Sequence, residues 1–398
     1  MLGFLEAKPM NQGRIVFSQL MDFLPLHEFR RCVARYEGDR HLRTFSCLDQ
    51  FYAMAFAQLT FRESLRDIET CLRTIPSRLY HMGIRGNVSR STLADANAQR
   101  DWRIFADLAQ ALIGIARPLY SDEDFGLRLQ RTVYVFDSTV VDLCLSLFPW
   151  ALFRRRKGAI KLHTLLDLRG KIPCFVAISH AKVHDVQALD HLLLEPGATY
   201  VMDRGYCDFL RLYRFTQEGA FFVTRAHRNL DFARQSSRPV DKTIGLRCDQ
   251  TIALQGPRTS LRYPQPLRRI AFVDEPSGKR FVFLTNDFRL AATTICQLYR
   301  RRWDVEGFFK WIKQYLRIKA FFGTSINAVK TQIWIALSAY LLLAIAKKRL
   351  SLPHDLAQIL QIVSVTLFEK CPLFEVFSHE PITTRLSPVP NQLTLFDF

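Results

Sequence analysis

Two aspartates each follow a short run of β-forming residues. Asp137 comes after Thr-Val-Tyr-Val-Phe, and Asp203 comes after Thr-Tyr-Val-Met. A carboxylate that directly follows a buried strand is held on rigid backbone at the edge of a sheet. Divalent ions about 4 Å apart need that placement to be clamped between protein oxygens. Either aspartate alone is more often a turn or cap residue. The two together favour a metal site, and such a site needs a third carboxylate.

A further carboxylate lies in the segment 299–313, Tyr-Arg-Arg-Arg-Trp-Asp-Val-Glu-Gly-Phe-Phe-Lys-Trp-Ile-Lys. Steps of 3, 4 and 7 join four of its polar residues: Tyr299, Arg302, Glu306 and Lys313. These steps keep side chains on one face of a continuous α-helix. Such a face presents a carboxylate, two permanent cations and a phenol, which suits a metal ion and a phosphodiester together. A solvated helix with Arg–Glu pairing is the alternative, and it does not explain Trp303.

Charge narrows the class of partner. The chain has 398 residues and a net charge of +18. Its 48% hydrophobic and 23% charged residues are typical of a core-forming protein and not of a disordered one. Residues 121–350 hold 37 basic and 20 acidic side chains. Nucleic acid is the expected partner, because each neutralised phosphate releases counterions. A merely basic, solvated surface is the alternative.

Membrane and disulfide-rich classes are disfavoured. The most apolar run, 333–346, is interrupted by Ser338 and is too short to span a bilayer, so it predicts a buried helix. The nine cysteines are odd in number and contain no C-x-x-C pair, which argues against a disulfide framework or a zinc knuckle. A reducing cytosol is the expected compartment.

The elements that must position the polar residues alternate along the chain. Residues 1–120 have helical periodicity, which fits either a plain bundle or a helix-turn-helix with Arg85, Arg90 and Arg100 facing phosphate. Beyond them the pattern predicts five strands, at 132–136, 160–168, 172–179, 199–202 and 221–224. Helices are predicted at 185–194, around 210–215, at 291–320 and at 327–350, and a β-rich insertion at 226–290.

Together these motifs resemble the signature of bacterial insertion-sequence DDE transposases. The Tyr-x2-Arg-x3-Glu-x6-Lys spacing, with Asp-x-Gly-Tyr at 203–206 and Asp-Ser-Thr at 137–139, is similar to that of the cut-and-paste group called insertion-sequence family four. The resemblance implies an α/β fold with a ribonuclease H-like core. The implied parts are a helical N-terminal DNA-binding domain (1–120), the core (121–225 and 291–322), the insertion (226–290), C-terminal helices (323–380) and a flexible tail (381–398).

Roles carried over from the family fall in three groups. The carboxylates of Asp137, Asp203 and Glu306 would be catalytic and would hold two Mg²⁺, or Mn²⁺ in their place. DNA contacts would come from Tyr299, Arg302, Lys313, Lys161 and Arg204. His163 and Tyr206 would lie behind the metals, although His163 fits a packed strand histidine equally well. His184 and Asp185 fit either a pair behind the metals or the start of a helix with Asp185 near its N-cap.

The resemblance implies a transposase that binds terminal inverted repeats, cleaves the ends by metal-dependent hydrolysis and transfers the 3′-hydroxyl to target DNA. It would act as a homodimer in a synaptic complex, in the bacterial cytoplasm with the nucleoid. A structure-specific nuclease and a catalytically silent DNA-binding protein are the alternatives. Inverted repeats bounded by short direct duplications in the flanking DNA would indicate a mobile element.

One departure from the family concerns tryptophan. Members with a well-developed insertion stack a flipped base on a tryptophan there, but this chain has tryptophan only at 102, 150, 303, 311 and 334. A stacking residue in 226–290 would have to be Phe272, Tyr263 or a similar ring. This departure leaves open whether a hairpin intermediate forms, and it does not change the expectation of end cleavage.

The C-terminal pentapeptide Gln392-Leu393-Thr394-Leu395-Phe396 resembles the motif by which bacterial replication and repair proteins dock on the sliding clamp. Leu393, Leu395 and Phe396 are apolar residues on a tail without a core of its own, and Gln392 adds an amide. Docking of the tail back on its own domain is the alternative.

Overall fold

The computed structural model describes residues 13–378 apart from 41, 43, 155, 156, 276, 277, 317 and 319. Seven helices precede the first strand: α1 (Val16–Met21), α2 (Leu26–Arg35), α3 (Cys47–Leu59), α4 (Leu65–Arg73), α5 (Pro76–Met82), α6 (Arg90–Gln99) and α7 (Arg103–Leu119). The later helices are α8 (Phe209–Gln217), α9 (Pro257–Arg262), α10 (Ala292–Arg300), α11 (Trp303–Tyr315), α12 (Ile326–Arg349), α13 (Leu356–Thr366) and α14 (Leu373–Ser378). Short 3₁₀ helices cover Pro149–Ala151, Asp185–His191 and Arg204–Tyr206.

Ten strands form one mixed sheet in the described part of the chain. They are β1 (Val133–Leu143), β2 (Leu152–Arg154), β3 (Lys157–Asp167), β4 (Ile172–His180), β5 (Thr199–Met202), β6 (Phe221–Arg225), β7 (Phe232–Arg238), β8 (Leu246–Leu254), β9 (Leu267–Asp274) and β10 (Lys279–Thr285). Five of them lie in the order β4-β3-β1-β5-β6. The first three are antiparallel, whereas β1, β5 and β6 are parallel. This is the ribonuclease H-like arrangement that the resemblance implied.

The insertion is not a separate layer. Strand β10 pairs antiparallel with β6, and β9, β8 and β7 follow outward, so the insertion extends the core sheet by four strands. The predicted β-rich insertion thus consists of strands β7 to β10, with the short helix α9 between β8 and β9. The loop from the insertion back to the core is short: β10 ends at Thr285, and α10 begins at Ala292.

The predicted strand 132–136 was too short. Strand β1 continues to Leu143 because β3 pairs with it along its whole length, from Tyr134–Asp167 to Leu143–Gly158. Pairing with β5, by contrast, ends at Phe136–Met202. The β3–β4 hairpin turns as expected at Arg169-Gly170-Lys171, where Gly170 has a φ of 70°. Only glycine fits there, since an added Cβ would meet the ring of Tyr120.

Two helix predictions also change. Residues 185–194 form a 3₁₀ helix only over Asp185–His191, and the predicted helix 291–320 is divided into α10 and α11. At the division the backbone of Arg301 and Arg302 keeps right-handed helical angles. The amide of Arg302 bonds to the carbonyl of Tyr299, three residues back, so the chain makes a tight 3₁₀-like turn there.

Helix α12 is the centre of a helical layer. Ser325 caps it by accepting from the amide of Ala328, and α3, α6 and α7 pack on it together with α11 and α13. The N-terminal and C-terminal helices therefore share one core on one face of the sheet. By length and composition α12 could cross a membrane, but 94% of its apolar window is buried in this layer. The run at 333–346 is thus a buried core helix, as predicted.

The cysteines form no disulfide in the described part of the chain. All nine cysteines are free thiols in the structure. The clamp-like pentapeptide and the rest of the predicted tail lie outside the described residues.

Candidate active site

Parallel pairing brings Asp137 and Asp203 side by side. Phe136 is paired with Met202, and the two aspartates are the next residues on β1 and after β5. Alternation along a strand sends successive side chains to opposite faces. Val133 and Val135 belong to the core under the helical layer, so Asp137, two residues further, points to that face too. The two carboxylates therefore lie at one edge of the sheet, beneath α10 and α11.

The turn between α10 and α11 supplies the partners of both aspartates. The hydroxyl of Tyr299 donates to Oδ1 of Asp203 over 3.0 Å. The guanidinium of Arg302 bonds to Oδ2 of Asp137 at 2.9 Å and to Oε1 of Glu306 at 2.8 Å. One guanidinium thus links the first and the last of the predicted carboxylates. The expectation that Arg302 faces DNA phosphate does not describe this structure, where the arginine is 9% exposed.

Glu306 and Lys313 sit further along α11. The side chain of Glu306 is 40% exposed, so it is the open member of the carboxylate group. The ammonium of Lys313 donates to the hydroxyl of Thr139 and, over 2.8 Å, to the carbonyl oxygen of Val140. Both acceptors lie on β1 just beyond Asp137, so Lys313 ties the far end of α11 to the same strand.

The carboxylates repel one another. The pKa of Asp137 is raised to about 6, mainly by burial and further by the charges of Asp203 and Glu306, whereas the Ser138 amide and Arg302 act in the opposite direction. Burial likewise raises the pKa of the Tyr299 phenol, which keeps it a hydrogen-bond donor to Asp203. Carboxylate oxygens that repel each other fit a divalent cation. Among the described residues, however, no three His, Cys, Asp or Glu side chains already enclose one metal position.

A second polar group lies behind this site, on the opposite face of the sheet. Asp185 accepts from the hydroxyl of Ser138 over 2.7 Å and pairs with Lys161 at 3.1 Å. Lys161 also donates to the carbonyl oxygen of Val183 over 2.8 Å. The ammonium predicted to contact DNA is therefore held by the chain's own oxygens, and Asp185 both starts its 3₁₀ helix and supports β1 next to Asp137.

His163 and Tyr206 belong to that rear face too. His163 is 1% exposed, its Nε2 lies 2.8 Å from the hydroxyl of Ser179, and burial lowers its pKa, so the imidazole is neutral. Tyr206 is 2% exposed and packs edge-on against Phe136. Both interpretations of His163 agree with this geometry, because the imidazole is packed in its strand and lies on the rear face. Both residues lie behind the carboxylates, with β1 between.

The aromatic predictions for the insertion need correction. Tyr263 is 1% exposed, with its hydroxyl bonded to Thr216, and therefore cannot stack on a base. Phe272 is half-buried under the guanidinium of Arg300. The ring that sequence reasoning missed is Trp303, which is 63% exposed and lies 4.8 Å from the guanidinium of Arg302. Its place inside the motif was visible in the sequence, but its exposure was not.

The three N-terminal arginines that were predicted to face phosphate differ in exposure and in their hydrogen bonds. The guanidinium of Arg100 donates to the carbonyl of Ser46 and to the amide oxygen of Gln50, both over 2.9 Å, so in this structure it is bonded within the protein. Arg85 and Arg90 are exposed, one before and one at the start of α6. Arg204, the remaining predicted DNA contact, is half-buried directly after Asp203.

Comparison with known proteins identifies two regions of the chain. Residues 128–342 match the family model of the transposase DDE domain. Residues 12–85 match a domain of unknown function, DUF4372. The first match spans more than half of the chain and contains Asp137, Asp203 and the whole segment 299–313.

Curated relatives agree with that match. A protein named as transposase y4zB, from Sinorhizobium fredii, is 34% identical over 295 residues, which are 73% of this chain and 80% of the relative. A protein named as a transposase for insertion sequence element IS5377, from Geobacillus stearothermophilus, is 31% identical over 54% of this chain and 57% of its own length. One named for element IS4SA, from Synechocystis, is 22% identical over 90% of this chain and 96% of the relative.

Among solved structures, a piggyBac transposase synaptic complex with hairpin DNA aligns over 98% of this chain and 87% of that chain, with 12% identity and a TM-score of 0.48. A similarity at that level does not establish a shared fold. The family match and the first relative do establish kinship: the chain belongs to the insertion-sequence transposases with a DDE domain, and it is a DNA-cleaving transposase.

Proposed function

We propose that this transposase cleaves the ends of its element by metal-dependent phosphodiester hydrolysis and then directs the freed 3′-hydroxyl of each end onto target DNA. The observation that carries the proposal is the convergence of Asp137 and Asp203 on neighbouring parallel strands, with Glu306 drawn to them by Arg302. Hydrolysis leaves a 3′-hydroxyl and a 5′-phosphate. In the second step that hydroxyl attacks a target phosphate, and a target 3′-oxygen leaves, so the number of phosphodiester bonds is conserved.

Asp137, Asp203 and Glu306 are the side chains that would hold two Mg²⁺ ions, with Mn²⁺ as a substitute. Such ions supply a nucleophilic oxygen at neutral pH and stabilise charge on the leaving oxygen. The protein's own contribution is positioning. Tyr299 fixes Asp203, and Arg302 fixes Asp137 and Glu306. Because phosphoryl transfer depends mainly on alignment and charge stabilisation, such positioning is where this site gains rate.

Cleavage of a linear duplex that carries one end of the element with flanking DNA tests this assignment. Glu306→Gln should lower the cleavage rate by roughly 10³-fold or more in Mg²⁺ and leave end binding intact. Asp304→Asn is the matched control, since Asp304 lies in the same first turn of α11 but pairs with Lys171 at 3.1 Å. A Glu306→Gln protein that cleaves like the wild type would refute the assignment.

The N-terminal helices provide a surface for duplex DNA. No acidic residue occurs between 70 and 94, whereas that stretch contains four arginines and His81. Arg78, Arg85 and Arg90 are exposed, and so is Tyr80, at 82%. Arg90 lies in the first turn of helix α6, which Ser89 caps. We assign this surface to the terminal repeats, and we propose that the protein acts on nucleoid DNA in the bacterial cytoplasm.

Salt dependence of binding measures those contacts. Replacing Arg85 and Arg90 by glutamine should reduce the slope of log K against log salt by about 1 per lost phosphate contact. Arg30→Gln with Arg66→Gln is the control, because both arginines are exposed elsewhere on the N-terminal helices. Equal slopes for the two double variants would exclude this surface as the binding site.

Trp303 offers a platform for a nucleobase at the cleavage site, because its exposed ring adjoins Arg302 and the carboxylates. Trp303→Ala should weaken binding of an end duplex with unpaired terminal bases, and Trp303→Phe should restore most of it. Unchanged binding in the alanine variant would remove Trp303 from the DNA contacts.

Two partners remain proposals on sequence alone. A homodimer would hold the two ends together, and sedimentation of the protein with end DNA should give a complex of two chains and two duplexes. The pentapeptide Gln392–Phe396 would dock on the host's sliding clamp. A titration of the tail peptide tests this, with Leu395 and Phe396 changed to alanine as the control. If the tail peptide does not bind the clamp, the clamp-docking proposal is refuted, and docking of the tail on its own domain is the alternative.

A further inference from the structure

A strongly basic pocket adjoins the carboxylates, where the core meets the insertion. Its volume is about 300 Å³, and its walls come from the residues after β5 and β6 and from strands β7, β9 and β10. Five arginines line it: Arg204, Arg225, Arg228, Arg269 and Arg280. No aspartate or glutamate is among its lining residues. We call it the arginine pocket.

The charges in this pocket are not compensated by the protein. Within the described residues, none of the five arginines forms an ion pair. The Nε atoms of Arg204 and Arg225 are buried and have no hydrogen-bond partner there. Neighbouring Arg268 shows the opposite arrangement, because Asp249 holds both edges of its guanidinium. Several unpaired guanidinium groups in one half-open pocket repel one another, so an anion would lower their free energy.

The arginines are also held in place. The guanidinium of Arg225 lies 5.2 Å from the centre of the Phe281 ring, and that of Arg269 lies 5.0 Å from the Phe232 ring. Arg269 additionally donates to the amide oxygen of Gln250 over 2.9 Å. Stacking on a ring uses the flat face of a guanidinium and leaves its N–H edge available for an oxyanion. Such pre-positioned edges suit the oxygens of a phosphate group.

The pocket is connected to the carboxylates by short contacts. Arg204 follows Asp203 in the chain, and the hydroxyl of Thr224, the residue before Arg225, donates to the carbonyl oxygen of Asp203 over 3.1 Å. On the other side, Phe281 packs 6.4 Å from the ring of Tyr299, which bonds to the Asp203 carboxylate. A strand whose scissile phosphate lies at the carboxylates would therefore place a nearby phosphate at the arginine pocket.

We propose that the arginine pocket binds a phosphate of the cleaved DNA strand next to the scissile one, and so sets which bond reaches the carboxylates. The inference rests on the proposed function and adds a specific subsite to it. A backbone phosphodiester and a free polyphosphate share the required chemistry, and the test separates these two sources.

The experiment couples single phosphates to the pocket. End duplexes carry one neutral methylphosphonate at successive positions around the cleavage site, and binding is measured in the Glu306→Gln background so that cleavage does not intervene. The pocket variant is Arg228→Gln with Arg280→Gln, because both side chains are exposed and their loss should not impair folding. The control is Arg258→Gln with Arg289→Gln, two exposed arginines of the same region outside the pocket.

Neutralising the phosphate that occupies the pocket should weaken binding roughly tenfold in the parent protein, the size expected for a charge-assisted contact. In the pocket variant that penalty should disappear, whereas the control variant should keep it. An identical set of penalties in both variants would overturn the proposal. Melting with inorganic pyrophosphate forms the second arm: stabilisation that depends on Arg228 and Arg280, without coupling to any DNA position, would assign the pocket to free polyphosphate and overturn the strand assignment.

Failure of the proposed function has a different signature. It would show as no binding of the end duplex by any protein, including the control. The pyrophosphate arm then decides the pocket alone: stabilisation lost in the pocket variant supports an anion site, and no stabilisation of the parent overturns it.

Discussion

Two sets of arginines between residues 204 and 302 differ in whether carboxylates pair with them. Arg268 and Arg302 are buried, and carboxylates occupy their guanidinium edges. The arginines of the pocket are half-buried or exposed, and in the described part of the chain none of them forms an ion pair. A buried ion pair that loses one partner is strongly destabilised, whereas an unpaired surface cation is not. The first set therefore positions structure, and the second is available to a ligand.

The sharpest contrast is expected for stability at Arg268, which is 2% exposed and bonds to Asp249 at 2.7 Å. Arg268→Met should cost about 3–5 kcal/mol of the free energy of unfolding, because it leaves Asp249 buried and unpaired. Urea denaturation measures this. The double variant Arg268→Met, Asp249→Leu should recover much of the loss, and an equal loss in the double variant would mean that packing, not the ion pair, is responsible.

At Arg302 the effect should appear in the rate. Arg302→Lys replaces a group that reaches Asp137 and Glu306 at once by one that cannot bridge both. End cleavage should fall by roughly 100-fold, in the range seen when an electrostatic group is lost from an active site. The salt slope of end binding should remain unchanged. A slope lower by about 1, with little change in rate, would instead return Arg302 to the phosphate contact predicted from sequence.

A smaller effect concerns pH and Asp137, whose pKa is raised from 3.8 to about 6 in the folded chain. Between these values the folded state binds more protons than the unfolded state, so this group makes the metal-free protein less stable as pH rises. Asp137→Asn removes the effect. In EDTA it should stabilise the protein by roughly 1–3 kcal/mol at pH 7.5 and by little at pH 4. The advantage must grow with pH, and a constant difference would show that ionisation is not its cause.

The stabilisation of the protein by Mg²⁺ should increase as pH rises, in contrast to the stability of the metal-free protein. Ions bind the ionised carboxylates, so the rise in melting temperature on adding Mg²⁺ should increase as pH passes through about 6. Asp137→Asn should lose most of this rise. The same rise in the asparagine variant would indicate that Mg²⁺ binds elsewhere.

The smallest expected effect belongs to the arginine pocket. Without DNA, Arg228→Gln with Arg280→Gln should change the free energy of unfolding by no more than about 0.5 kcal/mol, and the sign should favour the variant because repulsion is removed. Denaturation at low salt is the measurement. A loss comparable to that of Arg268→Met would show that the pocket arginines are structural, which would end the contrast between the two sets.

Much of the fold was accessible from local pattern. Strands β5 and β6, the β3–β4 hairpin and helices α8 and α12 lie close to their predicted places, because each is a short apolar run bounded by turn residues or a long run of helical period. The end of β1 and the division of α10 from α11 were not predictable in this way. The first depends on the partner strand β3, and the second on bonds that tighten one turn.

In the candidate site, too, local features were predictable from the sequence and tertiary contacts were not. Asp137, Asp203 and Glu306 were found from residue type and spacing, since a carboxylate after a strand and a fixed motif are local features. Arg100, Lys161 and Tyr263 were predicted to be available to DNA or a base, yet the fold occupies or buries all three. Availability depends on which neighbours the rest of the chain supplies.

The sequence by itself thus determined the family motif, the strand-end aspartates and a basic charge that favours a polyanion as partner. Tertiary structure alone decided which face of the sheet each polar residue uses, which cations are paired, and that the insertion brings its arginines against the end of β5. The physical reason is that hydrophobic periodicity and spacing act within a few residues, whereas burial and charge compensation are set by contacts between distant segments, such as Arg302 with Asp137 and Arg268 with Asp249.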